Sequence, residues 1–180
     1  LSVQVTFYIL VAFVLAYGVQ TTDLSRNDLL MAVLVGSAIM VPTQFFFSDY
    51  SDKHGRKGIF MLGALLTALW SFALFPLIET GNFYLVILGV TGGLTFLGMM
   101  YGPQAAFFAE LFSTEVRYSG ASLGYQIGAI VGGSFAPTIA PLLWKNYDIF
   151  WVSAYIAFAS LLSLISVYFL TETYQKDLNE

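Results

Sequence analysis

There is no cysteine in these 180 residues, and only 10% of them are Asp, Glu, Lys or Arg. The first absence rules out a disulfide framework, thiol chemistry and any Cys-based metal site. The second sets the chain apart from soluble domains, in which about 25% of residues are charged. A basic excess is lacking too. Lys and Arg number 7 against 11 Asp and Glu, a net charge of -4, so no surface can track a phosphate backbone and nucleic acid is not an expected partner. No residue pattern points to a metal or a cofactor. What is plentiful is apolar: 58% of the residues are hydrophobic and the mean hydropathy is +0.77, a composition made for membrane lipid. The chain opens on Leu1 inside an apolar run, with no initiator Met, basic segment or small-residue cleavage site, the pattern expected of a fragment or a processed chain.

A helix that crosses a membrane needs about 20 mostly apolar residues to span about 30 Å of hydrocarbon. Six uncharged runs come near that length, at about 3–20, 29–47, 58–78, 83–109, 119–144 and 149–170, followed by a tail over 171–180. Every charged residue falls between or beyond them, as expected when a charge at the bilayer centre costs several kcal/mol. The predicted fold class is therefore an all-α membrane protein of six transmembrane helices, antiparallel from one to the next because the connections are short. Lys53, Arg56, Lys57, Arg117 and Lys176 lie on one side and only Arg26 and Lys145 on the other. Positive residues stay cytoplasmic, which predicts that both ends of the chain are in the cytoplasm.

Glycine and proline divide the helices further. Gly120, Gly124, Gly128 and Gly132 recur every four residues along the fifth span, a tandem G-x-x-x-G face that lets a neighbouring backbone approach closely. Gln126 and Ile130 fall roughly opposite, at about 100° per residue. Pro42, Gly102 with Pro103, Pro137 and Pro141 should bend the second, fourth and fifth spans, which suits helices that rock against one another in alternating access. The third and sixth spans, rich in Leu, Phe, Ile and Ala, read as outer, lipid-facing helices.

Two connections on the same side carry opposite charges. Ser48-Asp-Tyr-Ser-Asp-Lys-His-Gly-Arg-Lys57 reads as a charged loop in which Asp52 and Arg56 pair at the membrane face, with Gly55 as a helix-ending residue. The segment from Glu110 to Gly120 offers matching charges in Glu110, Glu115 and Arg117. Two such loops are the makings of a gate. His54 reads as a solvated loop residue rather than a proton relay. No ionisable residue lies within any span, so an intramembrane proton carrier or a cation for an anionic solute has to come from elsewhere. Uncharged polar candidates for a solute cavity are Gln4 and Tyr8 on the first span, Thr91 and Thr95 on the fourth, and Tyr125 and Gln126 on the fifth; each can equally serve a helix-to-helix hydrogen bond.

Asp52-Lys53-His54-Gly55-Arg56-Lys57 resembles the D-R-x-G-R-K signature of the major facilitator superfamily, in the copy between its eighth and ninth helices. Glu110-Leu-Phe-Ser-Thr-Glu-Val-Arg-Tyr-Ser-Gly-Ala-Ser122 is similar to the E-L-F-P-T-E-V-R-Y-x-G-A-S run of its metabolite:proton symporter family, the relatives of shikimate, citrate and proline/betaine permeases. Thr171-Glu172-Thr173 resembles the end of the last helix in these carriers. Ser48 and Ser113 depart from the usual glycine and proline. The resemblance implies two inverted three-helix repeats forming the C-terminal half of a transporter in a bacterial inner membrane. It also implies that Asp52, Lys53, Gly55, Arg56, Lys57, Glu110 and Arg117 belong to a cytoplasmic gate. A missing N-terminal half would supply the rest, and the cargo would be a small metabolite such as an organic acid or an osmolyte, moved with protons. A uniporter or exporter of a neutral solute fits the uncharged spans equally well, and a noncatalytic six-helix subunit is the third alternative. Enzymatic function is not expected: no intramembrane Ser-His pair, G-x-G-D or H-E-x-x-H occurs. The N-P-A repeats of water channels and the P-x-[DE]-x-x-[KR] repeats of mitochondrial carriers are also missing.

Overall fold

The computed structural model describes residues 2–169. Leu170 and the tail over 171–180, including Thr171, Glu172, Thr173 and Lys176, lie outside the described residues. The elements are α1 (Ser2–Tyr8), a π-helical turn (Ile9–Phe13), α2 (Val14–Thr21), α3 (Arg26–His54), α4 (Arg56–Glu79), α5 (Phe83–Glu110), α6 (Arg117–Asn146) and α7 (Ile149–Tyr168). α1, the π turn and α2 run on as one span, so the described residues form six helices long and apolar enough to cross a membrane.

Helix starts on one side of the bundle are capped by short polar side chains. Ser25 Oγ accepts from the Asp28 N–H at 3.2 Å while the Ser25 N–H donates to Asp28 Oδ2 at 3.1 Å, a reciprocal capping box. Asn82 Oδ1 accepts from the Tyr84 N–H at 3.0 Å, and Asp148 Oδ1 from the Ile149 N–H at 2.7 Å. These caps satisfy backbone donors that the first turn of a helix leaves unpaired. On the opposite side the turn from α3 to α4 is a single residue, Gly55, at φ 113° and ψ 133°. A side chain rarely adopts that backbone conformation, whereas glycine does.

That joint corrects the sequence reading. Ser48–His54 is not a loop but the last two turns of α3, which continues well past Phe47 before Gly55 ends it. The π turn at Ile9–Phe13 was not foreseen, since five apolar residues carry no breaker. Pro42, Pro76, Pro103, Pro137 and Pro141 all lie inside continuous helices.

α5 is the centre of the bundle, packed most extensively against α3 and α4, while α4 also packs along α7. Val90, Leu94, Leu97, Met100 and Phe107 of α5 are fully buried. α4 and α7 are clasped deep in the core: Ser153 Oγ donates to the Ser71 carbonyl at 2.7 Å, and the Ser71 hydroxyl is shared between the Ala68 carbonyl at 2.7 Å and the Ser153 carbonyl at 3.1 Å. The third span is therefore half core and half outer wall. Ile59, Phe60, Ala64, Ala68, Leu74 and Phe75 face inward, and Leu62, Leu65, Leu69 and Phe72 are exposed.

The glycines of α5 and α6 differ in what they meet within this chain. The close backbone approach lies at Gly102 of α5, where an added Cβ would stand 2.6 Å from the Gln44 carbonyl oxygen and 3.2 Å from Ser48 N of α3. Along α6, Gly132 is buried, Gly128 half-buried and Gly124 exposed with nothing within 4 Å of an added Cβ; Gly120 meets the Phe112 side chain. α3 and α6, not the third and sixth spans, are the least covered helices, with 22% and 17% of their apolar windows buried against 50% for α4 and for α5.

Candidate functional site: a charged belt and two cavities

Charge collects where α3 gives way to α4 and where α5 ends. Gly55 turns the chain so that Arg56, the first residue of α4, faces both Asp52 on the last turn of α3 and Glu110, the last residue of α5. Arg56 Nη2 pairs with Asp52 Oδ1 at 2.5 Å, and Nη1 pairs with Glu110 Oε1. The side chains of Arg56 and Glu110 are only 13% and 7% exposed, whereas Asp52 is 52% exposed. The Arg56–Glu110 pair is thus a buried ion pair between elements far apart in sequence. Its members depend on each other, because removing one partner of such a pair leaves an uncompensated charge and costs about 3–5 kcal/mol.

Two further ties complete a belt around this end. Arg117, which opens α6, donates from Nε to the Ala109 carbonyl at 2.9 Å, which holds α6 against the end of α5. Lys57 Nζ donates to the Tyr168 carbonyl at 2.8 Å and lies 5.7 Å from the centre of the Tyr168 ring, a cation at the carbonyl end of α7 where the helix dipole favours one. Lys53 pairs with Asp49 at 2.9 Å on the exposed surface of α3, a contact of little energetic weight. His54 stacks on Tyr50 with ring centres 4.2 Å apart and places Nδ1 3.2 Å from the Tyr50 carbonyl. It sits on the last turn of α3 rather than in a loop. Asp52, Arg56 and Glu110 are thereby linked at one end of the bundle, where Lys57 and Arg117 make their own ties and Gly55 makes the turn.

The polar candidates within the spans separate into two sets. Gln4 of α1 and Tyr125 of α6 line a cavity of about 310 Å³ together with Gln44 of α3 and Tyr101 of α5. Tyr8, Thr91, Thr95 and Gln126 line neither this cavity nor the larger one beside it. Tyr8 packs half-buried on the hydrophobic core, and Gln126 is exposed on α6. Thr91 lies where α5 meets α3 at Gly36, and its buried Oγ1 has no hydrogen-bond partner. The larger cavity, about 620 Å³, opens between α5 and α6 and includes Tyr101, Gln104, Arg117, Ser122 and Tyr125 in its walls. Gln44, Tyr101 and Gln104 were missed in the sequence. Their one signal is position: Gln44 follows Pro42 by two residues, and Tyr101 and Gln104 flank Gly102-Pro103.

The chain matches the Major Facilitator Superfamily family model over residues 1–180. It is 34% identical to the inner membrane metabolite transport protein YhjE of Escherichia coli over 99% of this chain and 42% of that protein. A putative metabolite transport protein of Haemophilus influenzae is 33% identical over 96% of this chain and 41% of its own length. The shikimate transporter of Escherichia coli is 32% identical over 89% of this chain and 37% of its own length. The chain thus spans about two fifths of the length of the curated relatives it matches. No solved structure matches. Six apolar helices, a charged joint at Gly55 and a family match along its whole length make this chain a member of the Major Facilitator Superfamily.

Proposed function

We propose that this chain is the C-terminal six-helix half of a metabolite carrier that works by alternating access, with the belt around Arg56 closing its inner gate. The observation that carries this reading is the Arg56 junction, in which one guanidinium holds the ends of α3, α4 and α5 at once. Directional bonds between buried charges either form or fail with small displacements, the behaviour a two-state gate needs. The poorly covered helices α3 and α6 are the surfaces on which an N-terminal half would sit. Large apolar residues such as Phe45, Phe46, Leu123 and Ile130 lie exposed there. The cargo is a small organic acid or zwitterionic osmolyte, in keeping with relatives that carry metabolites and shikimate in their names. The membrane is a bacterial inner membrane, with both ends of the chain on the cytoplasmic side.

Proton symport is part of the proposal. Charged residues sit at the helix ends and connections, so the coupling acid belongs to the other half. The same scarcity favours one rival reading, a uniporter or exporter of a neutral solute. Uptake by the full-length carrier, measured with and without a proton gradient, separates the two: symport predicts accumulation that collapses with the gradient, and the rival predicts none. Asp52→Asn should lower uptake while leaving expression intact, and uptake at the unmodified rate would contradict the gate.

A further inference from the structure

The first span is α-helical except at Ile9–Phe13, where the Val14 N–H reaches back five residues to the Ile9 carbonyl. Such a π turn is uncommon and frequently marks a functional site. Its effect is visible in the burial pattern. Buried residues come in pairs at intervals of four: Val5 and Thr6, Ile9 and Leu10, Phe13 and Val14, Tyr17 and Gly18. In an uninterrupted α-helix each residue advances about 100°, so a repeat of four drifts by about 40° a turn and leaves the core within three repeats. The π turn absorbs one extra residue and cancels that drift. Each α1 residue therefore stands where its successor would stand in a continuous α-helix. In the present register Val3, Gln4 and Phe7 wall the cavity of about 310 Å³, whereas Tyr8 packs half-buried on the core.

The two sides of the turn are held differently. α2 is fixed: the Tyr17 hydroxyl donates to Glu79, and Leu29 of α3 fills the gap at Gly18, where an added Cβ would stand 2.7 Å from its Cδ1. α1 packs on α5, α6 and α7, but its Thr6 is 2% exposed with an Oγ1 that has no hydrogen-bond partner. A buried hydroxyl left unpaired weakens the hold of this register. Because successive spans alternate in direction, α1 lies at the end of the bundle that carries the charged belt.

We propose that when the inner gate opens the π turn relaxes to α-helix and α1 turns by one residue, about 100°, which brings the Tyr8 hydroxyl into the cavity wall in place of the Phe7 ring. The inference rests on the transport reading above. Every backbone group stays bonded within the helix in both registers, as lipid requires, and no tie of α2 has to break. Phe7 turns toward the place of Thr6, which a ring cannot enter while α1 lies against its neighbours. The change of register is thereby coupled to α1 moving away from them. A solute meets an apolar ring in one state and a phenolic group that both donates and accepts in the other.

The test uses the full-length carrier, with any cysteines outside this cysteine-free segment replaced by serine and one reporter at a time, Phe7→Cys or Tyr8→Cys. Purified carrier is labelled with a small polar thiol reagent, once with the gate intact and once with it broken by Arg56→Met and Glu110→Met. With the gate intact Phe7→Cys should label at least about tenfold faster than Tyr8→Cys, since a minor state is populated at about 10% or less. With the gate broken the order should reverse. Deleting Ala12, which is exposed, removes the extra residue and leaves both halves showing their present faces. In that background Phe7→Cys should stay the faster reporter whether or not the gate is broken. Gln44→Cys, labelled from the cytoplasmic side in inside-out vesicles, reports the gate independently. If breaking the gate exposes Gln44→Cys while Tyr8→Cys stays the slower reporter, the register change is overturned and the transport reading stands. A reversal that survives deletion of Ala12, or a deletion variant that does not fold, also overturns it. Gln44→Cys still shielded with the gate broken removes the gate and this inference with it.

Discussion

At one end of the bundle, Arg56, Lys57 and Arg117 fasten the ends of α3, α4, α5, α6 and α7 through ion pairs and charged hydrogen bonds. At the other end, the Tyr17 hydroxyl donates to Glu79 to join α2 to α4. Beside that bond Phe13 and Tyr17 stack on each other and meet Phe75 and Trp144 edge to face, with ring centres 5.0–6.1 Å apart. Aromatic packing is broad and tolerant of small rotations, whereas a buried guanidinium–carboxylate pair is directional and fails abruptly when its geometry is lost. The difference teaches that six helices sharing one core are fastened by two kinds of contact, tolerant at one end and directional at the other. On the proposed function, the aromatic end would serve as a pivot and the charged end as a catch.

The sharpest way to break that comparison is Arg56→Ala, which takes the guanidinium away from the buried Glu110 carboxylate and should lower stability by about 3–5 kcal/mol in chemical or thermal unfolding in detergent. Next comes Gly102→Ala. Its new Cβ meets backbone of α3 rather than a movable side chain, so the helices must part, at about 1–3 kcal/mol by the same measurement. Tyr17→Phe keeps the aromatic cluster and removes one bond to an exposed carboxylate that water can re-solvate, with an expected loss of about 1 kcal/mol. Ser71→Ala breaks one limb of the α4–α7 clasp, worth about 0.6 kcal/mol for a hydrogen bond between membrane helices. Gly124→Ala should be the mildest. In this chain alone it is neutral or gains up to about 1 kcal/mol of helix propensity. In the full-length carrier it becomes destabilising where another helix lies on that face, so the sign of the change reports whether α6 is covered there.

Much of this organisation is legible in the residues themselves, because a bilayer imposes its thickness on apolar runs. The six spans follow from length and charge exclusion alone. Asp52, Arg56 and Glu110 were identifiable as partners because opposite charges stood in two connections on one side. The helix ends were less legible. Ser48–His54 carries charge, so hydropathy places it outside the membrane, yet no residue before Gly55 stops the helix. Close packing at glycine is harder to read for a related reason. The four-residue period on α6 is a local pattern, but whether a neighbour fills the groove depends on helix crossings, and within this chain it is the pair Gly98 and Gly102 of α5, also four residues apart, that the α3 backbone meets. Gln44, Tyr101 and Gln104 are single polar residues inside apolar runs, and only the crossing of α3, α5 and α6 places them in shared cavities.

The most direct test of the catch is to replace the buried pair without leaving a stranded charge. In the full-length carrier, Arg56→Met combined with Glu110→Met should stay within about 1 kcal/mol of the unmodified protein, since apolar residues can substitute for a buried ion pair in packing. Solute uptake, measured on the same preparation, should fall at least about tenfold, equivalent to about 1.4 kcal/mol. Uptake at the unmodified rate from a stable double variant would contradict the claim that this pair closes the gate.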